Sequence, residues 1–404
     1  MRVLLVNSGK VDPIARLEND PEVELTVITE AGYRKHYRPS THLIIVDDIA
    51  DMKAVYRHAM ELHRDRPFDA VASPSERSLQ TGGYLRSILG LPGPDYEIAH
   101  RFSHKFAMKR RLAERGVPVV AHGIAGGVDS VLEAGVDTPI IVKPALGSGT
   151  TTVLRIDDRR HFDSLGSHPV LQRLRRSPHP LIVERAVDID EEFHCDGIVV
   201  DGKVRFAAAS KYFEPILQRG EVMMGSYTLP VGSEQDRIVL DLHRRTVEAL
   251  GLRDGVTHLE VLREGSDYHV GEISCRPGGA GIPEQVLVQF GVDQWDACVK
   301  TATGRTPTLA PVAADGVMVR CQLPLHPGTV RDVSSSEETL DIPGVVRAVV
   351  NVAPGDTVRG PWHSGMFSAL VYRRTDAESD VDDVVADVDR RFRIEIDPEE
   401  PADA

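Results

Sequence analysis

Apolar positions follow two regimes along this chain. Up to about residue 98, short β-branched runs at Val3–Val6, Val23–Ile28, Leu43–Val46 and Ala70–Ala72 alternate with polar stretches of helical period, Asp51–Arg64 and Leu79–Leu89. That alternation predicts a parallel sheet covered by helices. The loops after such strands, here Asn7-Ser8-Gly9 and Ser73-Pro74-Ser75-Glu76, commonly line a ligand crevice. Beyond residue 98 the pattern turns to strands and hairpins. Ala99–Val119 predicts a single helix with Phe102, Phe106, Leu112 and Ala113 inside, Lys109-Arg110-Arg111 on its wet face, and Gly116 and Pro118 closing it. Strands follow at Ile140–Val142, Thr151–Arg155, Leu181–Glu184 and Glu192–Val200, and an amphipathic helix at Asp236–Leu250 turns Ile238, Val239, Leu242, Val247 and Leu250 inward. Two strands, Thr257–Glu264 and Tyr268–Ser274, flank the turn Gly265-Ser266-Asp267. After the Pro-rich stretch Thr306–Pro311 come strands at Val317–Leu323, Val345–Val352 and Ala369–Arg373. A helix at Glu378–Phe392 carries Asp382, Asp383 and Asp387 on its solvated face, and the tail Asp397–Ala404 is expected to fray.

With 404 residues the chain exceeds one ordinary domain, and 41% apolar residues suffice for real cores. A net charge of -14 leaves no basic surplus for nucleic acid. Cys195, Cys275, Cys298 and Cys321 form no Cys-x-x-Cys pair, which argues against zinc or a disulfide framework and for a cytoplasmic setting. The opening MRVLLVNSGK is too short an apolar run for a secretion signal, and no stretch approaches the ~20 apolar residues of a membrane helix. Neither GxGxxG nor GxxxxGK[ST] occurs, so dinucleotide and Walker-type readings lose their main support.

Chemistry concentrates in a few places. With a three-residue turn pairing Glu264 with Tyr268, the hairpin sets Glu260 opposite Glu272. Carboxylates roughly 5 Å apart repel by about 3 kcal/mol at an effective dielectric near 20, so they call for a cation. Mg²⁺ suits them, since it takes one or two carboxylates and completes its octahedron with phosphate and water oxygens. Arg276 and the open loop Pro277-Gly278-Gly279 follow directly, and an arginine beside a metal carboxylate suits a transferring phosphoryl group. Upstream, the strand Ile140–Val142 delivers Lys143, and Gly147-Ser148-Gly149-Thr150 can cradle an anion with backbone N–H groups. Exposed backbone along Glu184, Arg185, Ala186 and Val187 could meet the edge of an adenine, and Glu191 or Glu192 could take two ribose hydroxyls. His258 lies on the metal face, where a structural role is at least as natural as a catalytic one.

The order of Lys105, IIVKPALGSGTTTV, VERAV, EEFHCDG, Glu260 and EISCRPGG resembles the ATP-grasp superfamily, over about residues 99–308. SERSLQTGGYLRSILGLPG resembles that superfamily's domain junction. The resemblance implies an α/β and α+β architecture: a Rossmann-like pre-ATP-grasp domain over 1–98, an ATP-grasp domain over 99–308 with a nucleotide lid at roughly 106–190, and a small C-terminal α+β domain over 309–404. That last region resembles the carboxyl-terminal domain of L-amino-acid ligases and biotin carboxylases. It further implies ATP and Mg²⁺, with Mn²⁺ an alternative ion. Lys105 and Lys143 would contact the phosphates and Gly147–Thr150 would form the mobile phosphate loop. Glu184 and Val187 would flank adenine, Glu192 would bind ribose, Glu260 and Glu272 would hold magnesium, and Arg276 would steady the γ-phosphoryl group. Many members carry Asn where this chain has Ser274; its hydroxyl shares the face of Glu260 and Glu272 and so remains a candidate at the metal. L-Amino-acid ligases also lack that asparagine.

Residues 209–230 resemble the family's substrate-lining segment, with Lys211 and Glu221 the charged candidates for a carboxylate and an amine. The implied activity is carboxylate–amine ligation through an acyl phosphate, with small-molecule acid and amine substrates and no nucleic acid or membrane partner. A biotin carboxylase-type enzyme and a non-catalytic ATP-binding sensor are the rivals. No Ala-Met-Lys-Met carrier site is present, and a pure sensor has no need of a metal pair. Members of the superfamily are often homodimers, though no segment of this chain marks a self-contact.

Overall fold

The computed structural model describes residues 1–147, 152–218, 223–359 and 365–398. The first sheet is parallel, its strands ordered His42–Val46, Glu24–Glu30, Arg2–Val6, Ala70–Ala72. Leu4, Val6, Ile28 and Val71 pack against the helices Met52–Asp65 and Leu79–Leu89 on one face, and Val3, Leu5 and Val27 pack against Val11–Glu18 on the other. This is the architecture expected from alternating apolar runs and helical periods. The loops after Arg2–Val6 and Ala70–Ala72 leave the carboxyl ends of adjacent parallel strands and carry Lys10 and Glu76.

A second, four-stranded antiparallel sheet runs in the order His122–Ala125, Leu181–Arg185, Ile140–Pro144, Leu154–Ile156 and buries its own core of Ile140, Val142, Leu154, Leu171, Leu181 and Val183. The third sheet organises the molecule. Its eight antiparallel strands are ordered Asp267–Ser274, Gly255–Glu264, Glu191–Val200, Lys203–Tyr212, Met224–Thr228, Val317–Pro324, Phe367–Thr375, Val345–Val350. One face buries Phe193, Cys195, Val261, Ile273, Val319 and Val371 against the helices Lys105–Glu114, Glu234–Leu250 and Val381–Arg391. The strands after residue 309 extend this sheet, so no break in it falls at residue 308. Gly328–Val333, Thr357–Val358 and Ile394–Asp397 make a further small sheet. No helix among the described residues is long and apolar enough to cross a membrane.

Several elements differ from expectation for identifiable reasons. The helix expected over Ala99–Val119 is two, Tyr96–Arg101 and Lys105–Glu114. The Lys105 N–H donates to Ala145 O at 2.8 Å, so a contact with the Lys143 loop restarts the helix there, and His104 Nδ1 caps it by accepting from Ala107 N–H. Lys109 is not on a wet face but fully buried. Asp387 is no solvated side chain either; it binds Arg373 at 2.5 Å and Arg391 at 2.8 Å. Of the tail, Asp397 pairs with Thr329, and residues 399–404 lie outside the described residues.

The hairpin turn has two residues rather than three, since Glu264 pairs with Asp267 and Arg263 with Tyr268. That register would carry Glu272 off the pairing with Glu260. A β-bulge between Glu260 and Val261 absorbs one residue on the partner strand at Gly271, and the Glu260–Glu272 pairing is restored.

Candidate active site

The face of the central sheet opposite its helix-covered core carries the polar side chains. Strand pairing decides which meet. Glu260 stands opposite Glu272 on one side and His194 on the other, and His258 stands between Ser274 and Asp196. Because successive residues alternate faces, Glu192, His194 and Asp196 share one face with His258, Glu260, Leu262, Glu272 and Ser274. Two strands over, Ser226 pairs with Arg320 and Met224 with Gln322. Above this face lies a cavity of about 330 Å³. Lys105, Lys143, Glu192, Glu260, Glu272, Ser274, Arg276 and Arg320 line it, with Val153, Ile189 and Leu262 as an apolar wall.

Most of these charges are held by a partner from another element. Lys105 Nζ lies 3.0 Å from Glu272 Oε1 and donates to Gly147 O at 2.5 Å. Lys143 Nζ lies 2.7 Å from Glu184 Oε2, whose other oxygen is 2.9 Å from Lys109 Nζ. Burial alone would raise the Glu184 carboxyl, but the two ammonium groups overcome it and hold it at about 2. The two lysines respond in opposite directions. Burial dominates at Lys109 and lowers it; at Lys143 burial is outweighed by Glu184 together with Glu272, and its value rises. Glu260 is likewise buried, which opposes its charge, yet His258 beside it, with Lys143 and Arg276, keeps it below the usual carboxylate range. At His258 burial is overcome by Asp196 at 2.9 Å and by Glu260 at 3.8 Å, and the imidazole is pushed up to about 9.

Arg276 is braced from the first sheet. Glu76 Oε2 accepts from Arg276 Nε at 2.7 Å and from the Ser274 hydroxyl at 2.9 Å. Burial opposes the guanidinium charge and Glu76 restores it, leaving Arg276 above its ordinary value. Ser274 lines the cavity and donates its proton to Glu76, the same carboxylate that braces Arg276.

The opposed Glu260 and Glu272 carboxylates are an all-oxygen donor pair on adjacent strands, with their remaining neighbours cationic. This set fits a hard divalent ion such as Mg²⁺.

Other expectations fare differently. Lys105, Lys143, Glu192, Glu260, Glu272, Ser274 and Arg276 come together around one cavity. Lys211 does not. It pairs with Phe193 and Tyr227, on the face opposite the cavity, and its Nζ binds Glu191 Oε1 at 2.5 Å. The same Glu191 accepts from Arg263 and Gln235, so of the two ribose candidates only Glu192 reaches the cavity. The backbone edge expected to face adenine is partly taken. Arg185 and Ala186 donate their N–H groups to Ala121 O and Pro139 O, the Arg185 guanidinium binds Glu264, and the Glu184 side chain serves the lysines. Gly147 has φ +112°, a backbone that favours glycine. Ser148, Gly149, Thr150 and Glu221 lie outside the described residues.

Three functional candidates, His194, Asp196 and Arg320, escaped the sequence reading, and Glu76 was placed in a crevice-lining loop but given no partner. The signals were present in the Ser-Glu-Arg loop and in the His-x-Asp and His-x-Glu pairs of neighbouring strands, but only strand register makes them neighbours. Arg320 is buried beside the cavity, and among the described residues its Nε has no hydrogen-bond partner.

Comparison with known proteins gives concordant results. A curated L-arginine-specific L-amino acid ligase of Bacillus subtilis is 32% identical over 405 residues, covering 98% of this chain and 98% of that one. Residues 321–397 match the family described as L-amino acid ligase C-terminal domain 2. Among crystal structures, the L-amino acid ligase from Bacillus licheniformis superposes with a TM-score of 0.76 at 15% identity, over 98% of each chain. The biotin carboxylase domain of the Hydrogenobacter thermophilus 2-oxoglutarate carboxylase, determined as a dimer in complex with MgADP and bicarbonate, gives 0.70 at 13% identity over 98% of this chain and 90% of that one. These structural likenesses establish the ATP-grasp fold.

Proposed function

Since this chain belongs to the L-amino acid ligases, ATP-dependent carboxylate–amine ligases of ATP-grasp fold, we propose that it activates the carboxylate of one amino acid with ATP and joins it to the amine of a second. One observation carries the reading: one cavity over the central sheet gathers two opposed acids, two lysines and two arginines.

The roles follow from position. The apolar wall of Val153, Ile189 and Leu262 suits a flat base, and Glu192 beside it suits the ribose hydroxyls. Lys105 and Lys143 offer charge to the phosphates, and Arg276, fixed by Glu76, meets the transferring phosphoryl group. Arg320, across the cavity floor, holds the substrate carboxylate. A divalent ion held by Glu260 and Glu272 supplies Lewis-acid charge to the phosphate oxygens. The acid is already ionised at neutral pH and needs no base to attack the γ-phosphorus. Its attack releases ADP and forms an acyl phosphate, whose carbonyl carbon the amine then attacks, expelling phosphate. The chain's own contribution is positioning and charge complementarity.

The test is phosphate release by the purified chain in Mg·ATP against amino acids singly and in pairs, arginine included, with products identified by mass. Amino-acid-dependent release with a condensed product is expected, and Glu272→Ala abolishes it. Release that depends instead on biotin and bicarbonate, or ATP binding without turnover, would overturn the reading.

A further inference from the structure

Along the cavity floor, from Glu260 to Arg320, runs a file of buried polar groups of which the reaction just described uses only the two ends. His258 Nε2 lies 3.8 Å from Glu260 Oε1, and its Nδ1 donates to Asp196 Oδ1 at 2.9 Å. The other oxygen, Asp196 Oδ2, accepts from His194 Nδ1 at 2.6 Å. His194 Nε2 meets the Ser226 hydroxyl at 2.9 Å, and Arg320 donates to the same hydroxyl oxygen at 3.1 Å. His194, Asp196 and Ser226 are wholly buried. We propose that Asp196, His194 and Ser226 are positioning residues, a rigid rod tying the metal carboxylate Glu260 to the carboxylate-binding Arg320 and so setting the distance between the phosphoryl centre and the acid it activates.

Three features favour a rod over separate contacts. Asp196 uses both oxygens on rings from two different strands, so neither imidazole can turn without breaking a buried charge-assisted bond. The far end is anchored on its own account. Ser226 donates to Gln285 Oε1, Gln285 returns bonds to Ser226 O and Met318 O, and Arg320 donates to Ala280 O. The loop after Arg276 also lies on the rod. A Cβ at Gly278 would sit 3.1 Å from Asp196 Oδ1 and 2.9 Å from Ile282 Cγ2, so only glycine allows that approach. A satisfied polar network in a low-dielectric interior holds one geometry and is costly to distort.

The inference rests on the ligase reading for the role of Arg320, and the test separates the two. Asp196→Asn and Ser226→Ala are made in the full chain. Mn²⁺ binding with a non-hydrolysable ATP analogue is read by EPR, the KM of the acid substrate by phosphate release, and folding by thermal melting. Asp196→Asn is expected to weaken Mn²⁺ binding and raise the acid KM, each at least about tenfold. Ser226→Ala, which cuts the file between His194 and Arg320 but leaves the Asp196 bonds to both rings, should raise the acid KM similarly and leave Mn²⁺ affinity within about twofold. Variants that change melting temperature alone overturn the rod, as does a Ser226→Ala protein of unchanged acid KM. A wild-type chain without amino-acid-dependent turnover sinks the ligase reading, whereas the EPR titration still decides the Glu260 end.

Discussion

Single side chains in this site are legible only through their partners. Glu184, expected to flank adenine, carries a buried carboxylate shared by Lys109 and Lys143. Glu184→Gln removes the carboxylate that two buried ammonium groups share and should destabilise the fold by about 3–5 kcal/mol, measured by urea denaturation. Its folded carboxyl titrates at about 2 against an ordinary 4.5, so its stabilisation is complete above pH 4.5 and is lost as the pH falls toward 2. The gap between wild type and Glu184→Gln should therefore narrow on acidification through that window; a gap that widens would refute the assignment. Glu76 is the converse case, a residue of the first sheet that acts on the third. Without its bonds to Arg276 and Ser274, Glu76→Ala should cut turnover about 100-fold, as an ångström-scale displacement of a positioned group does. Mg·ATP binding, read by calorimetry, should barely move.

Among the elements, the hairpin and the loop after it decide most. The bulge at Gly271 brings Glu272 to the face of Glu260; a straight two-residue hairpin would turn it to the other side. The facing acids were foreseen from a three-residue turn, and the real hairpin reaches the same pairing by a shorter turn plus an extra residue. The loop from Arg276 to Gly281 is seated on a C-terminal strand: Gly281 has φ +79°, its carbonyl accepts from the Tyr372 hydroxyl at 2.9 Å, and a Cβ there would lie 2.1 Å from that same oxygen. Gly281→Ala should cost at least about 1 kcal/mol in backbone strain before any clash is counted. A lowered denaturation midpoint together with slower ligation is the expected result, and a midpoint equal to wild type would show that the loop is not fixed there.

For the molecule as a whole, the central sheet continues across residue 308. Val317–Pro324 pairs with Met224–Thr228 and brings Arg320 and Gln322 to the cavity, while Val319, Cys321, Val371 and Val388 complete the same core as Phe193 and Val261. A chain ended at residue 308 would expose the Met224–Thr228 edge and lose that core. It should show no cooperative unfolding transition by circular dichroism, whereas a stable, two-state fragment would mean that the C-terminal strands are dispensable.

The parallel first sheet, several of the strand runs, the hairpin and the ordered set Lys105, Lys143, Glu260, Glu272 and Arg276 that lines the cavity were readable in the chain, whereas the central strands Lys203–Tyr212 and Met224–Thr228 were not. The readable features depend on local period and on motifs a few residues long. Which face each charge occupies, and what answers it, was not. Lys211 and Lys143 both sit on strands and look alike in the chain, yet one binds Glu191 behind the sheet and the other reaches the cavity. That difference, like the meeting of Glu76 with Arg276 and of His194 with Asp196 and His258, comes from strand register and from contacts between segments up to two hundred residues apart in the chain, where periodicity carries no information and burial leaves no charge without a partner.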